Sequence, residues 1–98
     1  MVKYGGNDMD KIILDGLKIR TKEDLFDTIR NQLDSSEFYG NNLDALYDVL
    51  STINVDLFIT IKNYKHLKKN LGEYANNLET LLIDLTNKND NVKYEISK

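Results

Sequence analysis

The stretch Val55-Asp56-Leu57-Phe58-Ile59-Thr60-Ile61 is apolar except at Asp56 and Thr60, and rich in β-branched and aromatic side chains. Such a run suits a largely buried strand. Working outward, Leu43, Leu46, Leu50 and Ile53 recur at helical spacing before it, with Val49 at the edge of the stripe. Asn41 or Asn42 is able to cap the start of that helix. Further upstream, Leu25, Phe26, Ile29 and Leu33 form another helical stripe, behind Thr21 and Asp24 at N-cap and N3 spacing. Lys11-Ile12-Ile13-Leu14-Asp15-Gly16 is a short apolar run closed by a turn glycine, and reads as a strand. Downstream, Tyr64, Leu67 and Leu71 predict a short helix stopping at Gly72, and Leu78, Leu81, Leu82 and Leu85 predict another. After the polar loop at 87–91, Val92, Tyr94 and Ile96 alternate as a last strand.

The order is β-α-α-β-α-α-β. Strands separated by helical crossovers favour parallel pairing with right-handed connections. The expected fold is therefore a small α/β domain, a three-stranded parallel sheet packed with about four helices. Both the first and the middle strand are apolar enough to be central, which leaves the strand order open. Residues 1–10, with Gly5-Gly6 and Asn7-Asp8, read as a flexible N-terminal extension, and 11–98 as one domain.

A chain of 98 residues and 11.4 kDa with 41% hydrophobic and 30% charged residues has the balance of a soluble globular domain. It has no cysteine, which excludes disulfides, thiolate zinc sites and cysteine nucleophiles. One histidine, His66, rules out a multi-histidine metal site and leaves no spare imidazole for a triad. The sequence contains no membrane span and no secretory h-region, so a cytoplasmic protein is expected. No cofactor and no metal are expected.

The net charge of −3 is unevenly distributed. Residues 31–61 carry no Lys or Arg against Asp34, Glu37, Asp44, Asp48 and Asp56. Such a stretch projects a negative field that repels nucleic acid and attracts basic partners. Asp44 and Asp48 stand four residues apart, nearly opposite the apolar stripe of their helix, with Tyr47 between stripe and acids. Like charges at that spacing destabilise an isolated helix by roughly 0.2–0.5 kcal/mol, and the helix dipole helps only Asp44, in the first turn. A plain solvated face is the simplest account. An exposed aromatic beside unpaired acids is, however, the composition of a binding surface. The loop Phe38-Tyr39-Gly40 brings two more aromatics to the mouth of the same helix. The two aspartates lack a cleft or third ligand in sequence, so catalysis and metal binding are not expected of them. The basic segment Lys62, Lys65, His66, Lys68, Lys69 reads as a solvated helix face rather than a nucleic-acid site.

The run Phe38-Tyr39-Gly40-Asn41-Asn42-Leu43-Asp44-Ala45-Leu46-Tyr47-Asp48-Val49-Leu50 resembles the signature of the barstar family, intracellular inhibitors of barnase-type ribonucleases. The likeness extends more weakly from Lys11 to Ser97. It implies a non-enzymatic inhibitor, monomeric before binding, that plugs the active site of a basic ribonuclease and protects the producing cell's RNA. By that resemblance Asp48 takes the pocket of an RNA phosphate and Asp44 is a second charged contact. Phe38 packs on the enzyme's catalytic histidine, and Tyr39, Gly40, Asn42, Ala45 and Tyr47 shape the contact surface. Asp84, on the last helix, aligns with a further acidic contact. Tyr47 and Ile53 stand where the best-known member has tryptophan, and Thr52 replaces a glycine, changes that fall at the rim of the surface. An acidic-face module for a basic partner that is not a nuclease, and a structural domain without a specialised site, are the competing expectations.

Overall fold

The computed structural model describes residues 10–33 and 40–98. The elements are β1 (Asp10–Asp15), α1 (Lys22–Gln32), α2 (Leu43–Thr52), β2 (Leu57–Lys62), α3 (Tyr64–Leu71), α4 (Glu73–Lys88) and β3 (Val92–Ile96). The expected order β-α-α-β-α-α-β is the observed one. The sheet runs β1-β2-β3, parallel throughout, with Ile12 opposite Ile59 and Ile59 opposite Tyr94. The strand order left open by hydropathy is thus settled in favour of β2 at the centre.

Two boundaries differ from the expected ones. β1 begins at Asp10, whose N–H donates to Asp56 O and starts the ladder at the last residue of the expected extension. β2 begins at Leu57 rather than Val55, because Asp56 is where pairing with β1 starts and Val55 is left exposed. Hydropathy marks an apolar residue, but only a partner strand makes it part of a ladder.

The alternation of the strands places Ile12, Leu14, Leu57, Ile59, Ile61 and Val92 on one buried face. The helices cover that face: Ile29 of α1, Leu46 and Leu50 of α2, and Leu78 and Leu82 of α4 meet Ile12, Leu14 and Ile59 around a void of only about 10 Å³. That space is too small and too apolar to hold water. The opposite face of the sheet presents Lys11, Ile13, Lys62, Lys93 and Glu95 to solvent.

The helix starts follow from their caps. Thr21 Oγ1 accepts from the N–H of Asp24 at 3.0 Å. Asp24 returns a bond to Arg20 N–H rather than to Thr21, a capping box displaced by one residue. Asn63 opens α3 in the left-handed region (φ 55°), a conformation Asn tolerates, and its side-chain amide donates to Asp15 Oδ1 at 2.8 Å. That bond, with the Leu17 N–H and nearby Lys62 and Lys18, holds the Asp15 carboxyl below the usual range. Gly72, φ 62°, ends α3 and begins α4.

Gly16 lies where the β1–α1 turn crosses the start of α3. A Cβ there would collide with the carbonyl oxygen of Asn63 and sit 2.7 Å from the Leu67 amide nitrogen. Both are backbone atoms, and both belong to the turn that starts α3. Gly16→Ala is expected to cost about 1–3 kcal/mol, the usual penalty for overpacking. It should lower the midpoint of thermal unfolding by roughly 5 °C or more. Calorimetry of the variant measures this, and an unchanged midpoint would show that the turn yields freely.

Candidate functional site: the acidic groove between α2 and α4

Asn42 caps α2, its side-chain oxygen accepting from Ala45 N–H at 2.8 Å, and this settles the choice between Asn41 and Asn42. From that start the helical repeat turns Leu46 and Leu50 into the core and leaves Asp44 and Asp48 exposed. Tyr47 and Ala45 are half-buried at the junction, packed against the core. Gly40, half-buried, is held by Arg30, whose Nη1 donates to Gly40 O at 2.6 Å. Phe38 and Tyr39 lie outside the described residues.

Packing of α2 on α4 creates what α2 alone lacks, a groove. Leu43, Asp44, Tyr47 and Asp48 form one wall, and Asn77, Thr80, Leu81 and Asp84 the other, around an open space of about 470 Å³. The α2 wall repeats at i, i+1, i+4 and i+5 and the α4 wall at i, i+3, i+4 and i+7, so two helical stripes face each other. Leu43, Tyr47 and Leu81 supply apolar surface, and the three aspartates supply the charge. Among the described residues, no cation forms an ion pair with Asp44, Asp48 or Asp84. No three carboxylate or histidine groups among the described residues converge to hold a metal ion. The groove is thus an anionic, partly apolar surface suited to a cationic partner. Asp84, separated from Asp48 by a strand and a helix in sequence, joins the same groove. His66 is exposed on α3 with Lys65, Lys68 and Lys69.

Asn77 and Thr80 escaped the sequence reading. Their signal was the polar flank of Leu81 on α4, which has no meaning until the partner wall is known. A second group missed from sequence is Asn89, the buried polar residue at the C-cap of α4. Its Nδ2 donates to Leu50 O at 3.0 Å and Ile53 O at 2.8 Å, and its Oδ1 accepts from Asn91 N–H at 2.9 Å. α2 has no basic residue in its last turn, so Asn89 supplies the donors its C-terminal carbonyls need. At the other end of α2, Tyr74 of α4 approaches Leu43 and Asp44. Burial raises the Tyr74 phenol above its usual range, a hydrogen bond with the Leu43 backbone acts the opposite way, and the Asp44 charge adds to the rise. α4 therefore grips both ends of the acidic helix.

Ile53 and Thr52, which with Tyr47 are the three rim positions where the sequence departs from the best-known member, are also placed. Ile53 is half-buried against the core. Thr52 is exposed, and its hydroxyl donates back to the carbonyls of Asp48 and Val49. Among the described residues, no helix is long and apolar enough to cross a membrane.

Comparison with known proteins assigns the chain to a family. The family model described as "Barstar (barnase inhibitor)" matches residues 9–97. A Bacillus subtilis (strain 168) protein named "Putative ribonuclease inhibitor YrdF" is 38% identical over 71 residues, 71% of this chain and 78% of that protein. The chain belongs to the barstar family, whose members are inhibitors of ribonucleases and not enzymes.

Proposed function

We propose that this protein inhibits a basic, barnase-type ribonuclease by seating the acidic wall of α2 in the enzyme's phosphate site. The observation that carries the reading is the convergence of Asp44, Asp48 and Asp84, none of them ion-paired among the described residues, on one groove with apolar surface. A carboxylate replaces a phosphate because both offer anionic oxygens to the same arginine forks and lysine ammonium groups. Asp48 is the anchor, with Asp44 and Asp84 as flanking charges. Tyr47 and Ala45 supply the apolar contact between them, and Gly40 and Asn42 set the approach to α2. Phe38 and Tyr39 complete the surface by family resemblance. The site of action is the cytoplasm, where a cysteine-free chain suits the reducing environment and where the cell's own RNA needs protection.

The test is an RNA-cleavage assay with a barnase-type ribonuclease, titrated with this protein at low and high salt. Stoichiometric inhibition is expected. The association rate should fall by about one to two orders of magnitude as salt screens the field of the groove. Full nuclease activity in the presence of micromolar inhibitor would reject the assignment for that enzyme class. Inhibition indifferent to salt would reject the electrostatic mechanism.

A further inference from the structure

The two edges of the sheet are finished differently. In a parallel ladder alternate residues turn their backbone groups toward one neighbour. Asp10 N–H donates to Asp56 O and Gly16 N–H to Lys62 O, so Lys11, Ile13 and Asp15 direct theirs outward from β1. Much of that edge is closed. The Gln32 side-chain amide accepts from Ile13 N–H and donates to Ile13 O, both at 2.8 Å, in the manner of a neighbouring strand. Asp15 O accepts from Lys18 and Ile19.

At the other edge Leu57 N–H donates to Asn91 O and Ser97 N–H to Ile61 O, so Val92, Tyr94 and Ile96 face outward. Val92 N–H donates to Asn89 O at 3.1 Å. The N–H and C=O of Tyr94 and Ile96, and the C=O of Val92, meet no partner among the described residues. An open row of this kind is a template for another strand.

We propose that β3 is a pairing edge for a second copy of this chain, antiparallel about a two-fold axis through Tyr94. The strand reads Val92-Lys93-Tyr94-Glu95-Ile96, which is complementary to itself in reverse. Val92 falls opposite Ile96 of the other copy, Lys93 opposite Glu95, and Tyr94 opposite Tyr94. The apolar pairs lie on the helix-covered side and the Lys–Glu pairs on the open side, where both residues are exposed. Tyr94 exchanges N–H and C=O with its counterpart, and Ile96 N–H reaches Val92 C=O. A lone lysine on an edge strand opposes such pairing. Here each lysine meets a glutamate instead. The expected free monomer thus becomes one partner of a concentration-dependent equilibrium, and the strand contact itself uses none of Asp44, Asp48 and Asp84, which stand on α2 and α4.

Sedimentation velocity from micromolar to millimolar protein tests this with the wild type, Lys93→Glu, and Lys93→Glu combined with Glu95→Lys. The double exchange keeps the net charge of −3 and restores opposite-charge pairing. The wild type should rise from 11.4 kDa toward twice that mass with concentration. Lys93→Glu should need at least a tenfold higher concentration, and the double exchange should recover wild-type behaviour. Amide exchange at Tyr94 and Ile96 should slow as dimer forms. A wild type that stays at one chain's mass at millimolar concentration overturns the proposal. So does a folded Lys93→Glu that associates like the wild type, or a folded double exchange that does not recover.

Discussion

Asp48→Ala is expected to weaken binding to a barnase-type ribonuclease by roughly two to four orders of magnitude while leaving the fold at least as stable. Removing one member of a desolvated charge pair leaves the enzyme's cations buried without a counter-charge, at a cost of about 3–5 kcal/mol. The isolated chain suffers no such loss. Asp48 is exposed, and its side chain has no hydrogen-bonded or ionic partner among the described residues, so truncation leaves nothing unsatisfied. It also relieves the repulsion from Asp44, worth roughly 0.2–0.5 kcal/mol, and substitutes the best helix former in the middle of α2. Dissociation rates and thermal unfolding of the same variant therefore move in opposite directions. Asp56→Ala is the control, since it removes an equal charge from an exposed residue outside the groove. It should slow association slightly and leave dissociation alone. Equal effects of the two substitutions would mean that only the overall field matters and that Asp48 is no anchor.

The difference between what the sequence reveals and what it conceals follows from range. Each element is legible because its signal is local: Thr21 and the pair Asn41-Asn42 announce helix starts, Val55–Ile61 a strand, Gly72 a stop. Asp44 and Asp48 were legible as an anomaly, two like charges on one helix with no cation nearby. The groove they border was not, because its other wall lies more than two dozen residues away on α4 and forms only when Leu46, Leu50, Leu78 and Leu82 pack together. Asp84 was placed only by family resemblance, and Asn77 and Thr80 were not placed at all. Strand order was hidden for the same reason, since β1 and β2 are similarly apolar and their neighbours are chosen by crossover geometry. Asn89 shows the limit best. In sequence it is one asparagine in the polar loop 87–91, and its burial depends on where the end of α2 comes to rest.

Asn89→Ala is expected to be strongly destabilising. It strips Leu50 O and Ile53 O of their shared donor and Asn91 N–H of its acceptor. At about 1 kcal/mol net for each bond, the loss is about 3 kcal/mol, against a total of roughly 5–15 kcal/mol for a domain of this kind. The unfolding midpoint should fall on the order of 10–20 °C. A second consequence is specific to the groove. Asn89 caps α4 five residues beyond Asp84 and at the same time holds the last carbonyls of α2, so it helps fix where Asp48 stands relative to Asp84. The variant should therefore bind a ribonuclease more weakly even at temperatures where it is fully folded. That penalty should shrink when Asp84→Ala is already present, because the relative placement of the two walls then matters less. Leu14→Ala, in the core beneath β1, provides a comparably destabilised chain with its groove walls intact. If Asn89→Ala and Leu14→Ala bind equally well when folded, the leucine packing between α2 and α4 suffices to align the carboxylates, and Asn89 acts on stability alone.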